Sequence, residues 1–284
     1  MKRFTSILKQ VIFPSKCLIC GSFFQSRQDT GSFLSKKSFQ DKSLTTFNKS
    51  AGFEFLMASF LCPSCMAGFL SVESPLCTKC GVMFKSRAGK DHFCGECLEH
   101  PKKFRKARAA GVYNQTFRDV IHSFKYKEKI ELSRPLGMLL LYAFIKFWDK
   151  ESIDTVVPVP LHIKRFKERG FNQAFLLVKN WHRIASAFSI DLTYLKIDKN
   201  ILIKKKWTEP QTGLGREKRL TNMKNAFSLN HSSHLLEVKG KNFLIVDDVY
   251  TTGATVSECA EVLLQSGAKD VDVLTLSRVS HDFS

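Results

Sequence analysis

The chain has 284 residues, and its 44 lysines and arginines outnumber its 26 aspartates and glutamates, which gives a formal net charge of +18. Its 44% of hydrophobic residues is typical of a folded globular protein and excludes a chain that is disordered throughout. No apolar run reaches about 18 residues, which excludes a hydrophobic membrane-spanning helix. Lys9 interrupts the apolar stretch after Lys2 and Arg3. We therefore expect no secretory signal and a cytoplasmic protein, with contact at the inner face of the membrane left open.

The positive charge is unevenly distributed along the chain. Residues 1–110 carry 18 basic and 7 acidic side chains, a net charge of +11, and residues 111–284 carry 26 and 19, a net charge of +7. Such an excess serves solubility in some proteins, but it is typical of proteins that bind phosphates of nucleic acid, anionic lipid or a small polyphosphate. The charge predicts a phosphate-bearing partner without identifying it.

Eight of the nine cysteines form four Cys-x-x-Cys pairs, namely Cys17/Cys20, Cys62/Cys65, Cys77/Cys80 and Cys94/Cys97. Thiolates that are two residues apart can turn towards one ion, and two such pairs complete the tetrahedral shell of Zn²⁺. We predict a double zinc ribbon, with one site from the first two pairs and another from the last two, while an interleaved pairing stays open. The first site must close over residues 21–61, which we predict to be a flexible insertion.

Zinc in these sites would be structural, because four sulfur ligands leave no coordination position open for catalysis. Disulfides are disfavoured by the cytoplasmic expectation, and a redox Cys-x-x-Cys normally occurs once, near a βαβ pattern. Cys259, beside Ala260 and Val262 in a predicted helix, is interpreted as a small core residue.

A basic run closes the cysteine-rich region. It consists of Lys102, Lys103, Arg105, Lys106 and Arg108. Such a run can follow the phosphate backbone of a nucleic acid. We place a domain boundary here, with a zinc-ribbon module over residues 1–108 and a second domain over residues 109–284.

Hydrophobic periodicity predicts alternating helices and strands in the second domain. Helices are predicted over residues 4–12 near the N-terminus and then over 115–124, 135–148, 171–188 and 252–266. Strands are predicted over residues 154–159, 195–203, 242–247 and 271–276, and residues 204–219 resemble a polar loop. This order is typical of an α/β domain in which a mostly parallel sheet is covered by helices on both faces.

The strongest motif runs from residue 243 to residue 255. An apolar strand delivers the carboxylates of Asp247 and Asp248 at its carboxyl end, where α/β sheets bind ligands. Small and hydroxylated residues then open a helix whose backbone amides can approach an anion. They are Thr251, Thr252, Gly253, Ala254 and Thr255. The carboxylates suit sugar hydroxyls or Mg²⁺ but would repel a phosphate, so the pattern predicts a ligand that joins a phosphate to a ribose.

Other interpretations of this motif explain less. If the aspartates merely ended a strand and Thr252 capped a helix, each residue would be explained but their combination would not. The chain has no G-x-x-x-x-G-K-[ST] sequence, and Lys218 occupies the third glycine position of a dinucleotide-binding motif that would begin at Gly213. We therefore exclude a Walker nucleotidase and a Rossmann dehydrogenase.

The motif resembles the phosphoribosyl pyrophosphate (PRPP) motif of type I phosphoribosyltransferases. The resemblance continues over residues 157–160, 169–174 and 210–222. Together with the cysteine pairs, these segments resemble the ComF family of competence-associated proteins over nearly the whole chain, apart from residues 21–61. The resemblance implies a type I phosphoribosyltransferase fold behind a cysteine-rich module.

The resemblance also implies roles for particular residues. Asp247 and Asp248 would bind the ribose 2′- and 3′-hydroxyls, and residues 251–255 would bind the 5′-phosphate. Val157 and Pro158 would belong to the loop that binds pyrophosphate together with Mg²⁺. The cations for pyrophosphate would be Arg165 and Arg169, with Lys125 a weaker candidate. A flexible loop would close over the site and bring Arg216, Lys218 and Arg219, unless these form only a solvated charge run.

Two functions agree with these features. In the first, the protein binds PRPP and single-stranded DNA during DNA uptake, alone or with other DNA-uptake proteins, and the basic run follows the strand. In the second, it is an enzyme that transfers phosphoribose to an unidentified acceptor. The sequence does not decide between them, because the phosphate-binding motif serves both, and it assigns no catalytic residue.

Overall fold

The computed structural model describes residues 14–25, 49–126, 129–149, 152–208, 221, 223–230 and 235–280. The helices are α1 (Lys49–Met57), α2 (Pro63–Met66), α3 (Gly95–Glu99), α4 (Gln115–Tyr126), α5 (Ser133–Phe147), α6 (Ile163–Arg169), α7 (Gln173–Val178), α8 (Trp181–Ala187) and α9 (Ala254–Gln265). The strands are β1 (Ser15–Lys16), β2 (Phe23–Phe24), β3 (Ala107–Val112), β4 (Thr155–Pro158), β5 (Lys196–Ile197), β6 (Leu202–Lys204), β7 (Phe227–Leu229), β8 (Asn242–Tyr250) and β9 (Asp270–Arg278). The helix predicted over residues 4–12 lies outside the described residues, as does most of the predicted flexible insertion. The last part of that insertion is described, and it contains α1, whose Phe53 and Met57 are buried in the core rather than exposed.

Five strands form one parallel sheet in the order β3-β9-β8-β4-β5. Along β8, Phe243 and Ile245 pack into one core and Leu244 and Val246 into another, because successive side chains point to opposite faces of a strand. Helices α4, α5, α7 and α8 cover one face, and α9 covers the other. The predicted mostly parallel sheet with helices on both faces is confirmed.

The two groups of cysteines pack on opposite faces of this sheet. Cys17 and Cys62 belong to the core that contains α5, whereas Cys77, Cys80 and Cys97 belong to the core that contains α9. The short antiparallel pair β1/β2 flanks the first group. The cysteine-rich region therefore packs directly against the sheet.

Strand β3 was not predicted, and it lies across the boundary expected at residue 108. It pairs in parallel with β9 along Ala107–Val112. The strand is rich in alanine and glycine, so its sequence does not show the β-branched pattern typical of strands. Packing requires a small residue at Gly111, because a Cβ there would lie 2.6 Å from the ring of Phe69. The close approach of the cysteine-rich region to the sheet explains this composition.

The helix predicted over residues 171–188 is two helices, α7 and α8. The interruption lets Trp181 enter the core and donate a hydrogen bond from Nε1 to the backbone oxygen of Gly137, at 3.2 Å. Gly137 also lies against the backbone of α7, where a Cβ would be 2.6 Å from the carbonyl oxygen of Leu177. Periodicity shows the apolar face of this segment but not the break.

The strand predicted over residues 195–203 is also divided. Its first part is β5 in the parallel sheet, and its second part is β6, which pairs antiparallel with β7. Between them, Asp198 accepts a hydrogen bond from the backbone N–H of Asn200 at 2.8 Å, a local bond that favours a turn. Among the helices of the described segments, none is long and apolar enough to cross a membrane.

Candidate functional site

The carboxyl ends of β4 and β8 meet at one edge of the sheet. Pro158 is in register with Val246, and the backbone N–H of Val159 donates to the carbonyl oxygen of Val246 at 2.9 Å. This pairing places the buried Val157 and Pro158 beside the end of the strand that carries the two aspartates. Edges of this kind are where open α/β sheets bind ligands.

Asp248 is buried, and each of its two carboxylate oxygens has a partner. Its Oδ1 lies 2.8 Å from Nζ of Lys125, at the end of α4, and its Oδ2 accepts a hydrogen bond from Nε2 of Gln173, at the start of α7, at 3.1 Å. Burial by itself would lower the pKa of Lys125, but the charge and hydrogen bond of Asp248 raise it above its usual value. Three elements thus meet at this carboxylate.

Asp247 is only partly buried. Its Oδ1 accepts a hydrogen bond from the backbone N–H of Asp248 at 2.8 Å. Burial and the neighbouring Asp248 carboxylate raise the pKa of Asp247 to about 7, although Lys125 and Lys204 oppose the shift. Nearby, Oε1 of Gln173 is buried and has no hydrogen-bond partner among the described residues. These acceptors fit the hydroxyl groups of a sugar.

Residues 251–253 connect β8 to the amino end of α9. Gly253 has a φ of +79°, which favours glycine, and a Cβ there would overlap the phenol oxygen of Tyr250. Oγ1 of Thr252 accepts a weak hydrogen bond from the backbone N–H of Ala254 at 3.4 Å. The first amides of a helix have no acceptor within the helix, so an anion at the amino end of α9 could bind there. We call Asp247, Asp248 and residues 251–255 the cradle.

The two arginines proposed for pyrophosphate lie on α6, beside the cradle. Arg169 donates a hydrogen bond to the hydroxyl of Tyr126 at 2.8 Å, and its guanidinium lies 4.7 Å from the centre of that ring. Arg165 lies 5.4 Å from the centre of the Trp207 ring. Their role towards pyrophosphate stays a prediction. The loop residues Arg216, Lys218 and Arg219 lie outside the described residues.

Lys125 and Gln173 contribute more than the sequence indicated. Lys125 was a weak pyrophosphate candidate, and Gln173 was part of a motif without an assigned role. Both contact Asp248 directly. The signal for Gln173 was its position in the first turn of a helix that follows Gly170, but only the parallel sheet shows that this turn faces Asp248.

The cysteines form two tetrads, in which the four sulfur atoms lie within 4.8 Å of one another. The first tetrad is Cys17, Cys20, Cys62 and Cys65, and the second tetrad is Cys77, Cys80, Cys94 and Cys97. The Sγ–Sγ distance is 3.7 Å for Cys20–Cys62 and for Cys80–Cys94. Tetrahedral Zn²⁺ with Zn–S bonds of about 2.3 Å requires about 3.8 Å between sulfurs. Each tetrad can therefore hold a zinc ion, and the grouping is the one predicted without interleaving.

All five residues of the basic run have intramolecular partners. The partners are Glu96 for Lys102, Glu261 for Lys103, Asp272 for Arg105, the carbonyl oxygen of Phe147 for Lys106 and that of Thr78 for Arg108. Asp272 is buried and also accepts from Nε1 of Trp148 at 2.6 Å. Lys103 and Arg105 have the more exposed side chains. The role of the run in binding nucleic acid stays a prediction.

The substitution Lys125→Met should lower the free energy of unfolding by about 3 kcal/mol, because it leaves the buried Asp248 carboxylate without its cation. The double variant Lys125→Met/Asp248→Asn should regain most of that loss. Lys129→Met is the control: its ion pair with Glu131 is exposed and should contribute less than about 1 kcal/mol. Urea denaturation measures all four proteins. A Lys125→Met protein as stable as the wild type would contradict the geometry.

The raised pKa of Asp247 predicts a pH-dependent difference between wild type and Asp247→Asn. Between the unfolded pKa, near 4, and the folded pKa of about 7, the folded protein binds more protons, so this residue destabilises the wild type increasingly as pH rises. Since the carboxyl group is partly exposed, we expect Asp247→Asn to be more stable by about 1–2 kcal/mol at pH 8 and nearly equal at pH 4.5. Equal stabilities at both pH values would refute the expectation.

Several known proteins and one family model are similar to this chain. Residues 183–282 match the family model of the phosphoribosyl transferase domain. DNA utilization protein YhgH of Escherichia coli K12 is 32% identical over 210 residues, which cover 72% of this chain and 85% of that protein. Competence protein F of Haemophilus influenzae is 32% identical over 233 residues, 78% of this chain and 97% of that protein. Competence protein ComFC of Streptococcus pneumoniae is 27% identical over 268 residues, 93% of this chain and 100% of that protein.

Proposed function

Because the chain belongs to the ComF family of competence-associated proteins, we propose that it acts in DNA uptake, with PRPP as the ligand of its cradle and single-stranded DNA as its partner. The names of its relatives, which speak of competence and of DNA utilization, support the role in DNA uptake. The match of residues 183–282 to the phosphoribosyl transferase domain supports a phosphoribosyl ligand.

One observation carries the proposal for PRPP. The carboxylates of Asp247 and Asp248, the latter held by Gln173, stand at the end of β8 before a loop whose Gly253 opens the amino end of a 12-residue helix. Sugar hydroxyls and a phosphate on one small ligand satisfy both halves of this arrangement. The third part of PRPP, its pyrophosphate, would reach the end of β4 and the arginines of α6. Mg²⁺ accompanies PRPP and would neutralise part of the pyrophosphate charge.

The surface around α6 favours a single strand of nucleic acid close to the cradle. This helix carries four basic residues and one acidic residue over seven positions. Phe166 and Tyr126 are exposed by 44% and 53%, and Trp207 lies within cation–π distance of Lys164. Proteins that bind single strands without sequence preference combine a positive groove with aromatic rings on which bases stack. We call α6 together with Tyr126 and Trp207 the rim, and propose it as a strand-binding surface. The rim follows the carboxyl end of β4, whereas the basic run precedes β3 and lies at the opposite edge of the parallel sheet.

The double substitution Lys164→Ala/Lys167→Ala should weaken binding of fluorescently labelled oligo(dT), a probe for strand binding without sequence preference. Two lost phosphate contacts should reduce the slope of log K against log salt concentration by about 1.4, since each contact contributes about 0.7. Lys239→Ala/Lys269→Ala is the control, because it removes the same charge at the amino edge of the sheet, where both lysines are exposed. Fluorescence anisotropy at several salt concentrations gives the slopes, and equal slopes for both variants would exclude the rim.

The same cradle could serve an active phosphoribosyltransferase, and one experiment separates the two functions. PRPP with Mg²⁺ is titrated calorimetrically into the full chain, and pyrophosphate release is measured with and without oligo(dT). Binding without release supports a protein that uses PRPP as a ligand. Release that requires the oligonucleotide or another acceptor supports the enzyme. Absence of PRPP binding would overturn the assignment of the cradle.

A further inference from the structure

Arg278, the last residue of β9, lies between the second tetrad and the cradle. Its side chain is buried, although it carries a positive charge. A buried guanidinium is costly unless its donors are satisfied. The partners of Arg278 therefore show which parts of the molecule it joins.

On one side, the guanidinium contacts the second tetrad. Nε donates to the carbonyl oxygen of Cys80 at 3.2 Å, and one terminal nitrogen lies 3.5 Å from Sγ of the same residue. Four thiolates and one Zn²⁺ would carry a formal charge of −2. A cation at this distance from a ligand sulfur offsets part of that charge, as is common for groups around metal ligands.

On the other side, the same guanidinium contacts the start of the phosphate loop. The other terminal nitrogen donates to the carbonyl oxygen of Thr251 at 2.7 Å and to that of Val279 at 3.0 Å. The guanidinium also lies 4.0 Å from the centre of the Tyr250 ring. The phenol of Tyr250 in turn lies beneath Gly253. Arg278 thus contacts both the backbone and the ring on which the loop rests.

We propose that Arg278 is a positioning residue that couples the second tetrad to the cradle, so that metal in the tetrad orders the loop for its phosphate. The proposal that the ligand is PRPP rests on the proposed function, but the coupling itself concerns the loop alone. The guanidinium is planar, so the Cys80 contacts and the Thr251 contact are fixed relative to each other. Loss of metal would remove the charge on one side and release the loop on the other.

Thermodynamic linkage makes the coupling reciprocal. If zinc in the second tetrad raises affinity for a phosphate ligand, then the ligand raises affinity for zinc by the same factor. Coupling energies between sites in proteins commonly correspond to roughly 5- to 150-fold in affinity. Occupation of the cradle should therefore raise the affinity for zinc, which gives the proposal a readout that does not depend on enzymatic activity.

Hydrogen–deuterium exchange of residues 247–258 tests the coupling without any ligand. In the wild type, chelation of zinc should accelerate exchange in this segment. In Arg278→Met, exchange should be fast with or without zinc, and Arg278→Lys should be intermediate because one ammonium cannot reach both sides. Helix α5, which packs on the opposite face, provides the reference for global unfolding.

Arg108→Met is the matched control. Arg108 also donates to backbone oxygens at the second tetrad, that of Cys77 at 3.5 Å and that of the adjacent Thr78 at 3.1 Å, but its hydrogen bonds do not extend to the cradle. This variant should keep the dependence of loop exchange on zinc. If loop exchange in Arg278→Met depended on zinc in the same way, the proposal would be overturned. It would also be overturned if loop exchange in the wild type did not change when zinc is removed.

The reverse experiment needs no metal-free protein. The amount of zinc that passes to a chromogenic chelator at equilibrium is measured for the intact protein with and without saturating PRPP and Mg²⁺. We expect PRPP to reduce release of one zinc ion in the wild type and in Arg108→Met, but not in Arg278→Met. If PRPP does not bind at all while loop exchange still follows zinc through Arg278, the proposed ligand fails and the coupling stands. Equal release with and without bound PRPP in the wild type would contradict the coupling.

Discussion

The double substitution Cys77→Ser/Cys94→Ser should reduce the zinc content from two ions to one and destabilise the protein more than any surface change. Apparent free energies of structural zinc binding are about 10–16 kcal/mol, which is comparable with the whole stability of a domain. The second tetrad also lies in the core that contains Phe104 and α9. Loss of its metal should therefore expose that face of the sheet to solvent, and the effect should not be limited to the loops that carry the cysteines.

Metal analysis by mass spectrometry and thermal unfolding check this expectation. Cys259→Ala is the control, because this cysteine is buried in the same core but lies outside both tetrads, and it should leave the zinc content unchanged. Cys20→Ser/Cys65→Ser should also remove one ion, from the first tetrad. Retention of two zinc ions in either double cysteine variant would show that the tetrad altered in that variant does not bind the metal.

The sequence predicted the sheet because its central strands are apolar on both faces. Residues 242–247 have no polar side chain before the aspartates except Asn242, and such continuous strands are typical of buried parallel sheets. The tetrads were predictable for a similar reason, since the spacing of two residues restricts which cysteines can share an ion. The apolar strands and the cysteine pairs could thus be predicted from short stretches of sequence, because the structure that each forms depends on the spacing of neighbouring residues.

The contacts that complete the cradle depend on residues far apart in the chain. Lys125 and Gln173 reach Asp248 from two different helices, across 123 and 75 residues. Arg278 joins Thr251 to Cys80, which precedes it by 198 residues. Pairings of this kind arise from strand order and crossover, and periodicity of a single segment contains no information about them.

The double substitution Asp247→Asn/Asp248→Asn should weaken PRPP binding by more than about 100-fold, because each charged hydrogen bond to a ribose hydroxyl contributes about 1.5–3 kcal/mol. The two positions should not be equivalent. Asp248 is already bound to Lys125 and Gln173, so its single variant should act largely by releasing these partners. Asp247 is partly exposed, and its single variant should remove direct contact with the ligand.

A comparison of sugars tests this division more sharply than the loss of affinity alone. If the carboxylates bind the ribose hydroxyls, the wild type should bind ribose 5-phosphate more tightly than 2-deoxyribose 5-phosphate, and the double variant should bind both equally. Inorganic phosphate, which needs only the loop, should bind the wild type and the variant alike. Asp270→Asn, at the amino end of β9, is the control and should change none of these affinities. If the double variant bound neither inorganic phosphate nor ribose 5-phosphate, the carboxylates would support the loop and would not bind the ribose. The reason is that inorganic phosphate has no sugar hydroxyls, so loss of a contact to those hydroxyls cannot weaken its binding.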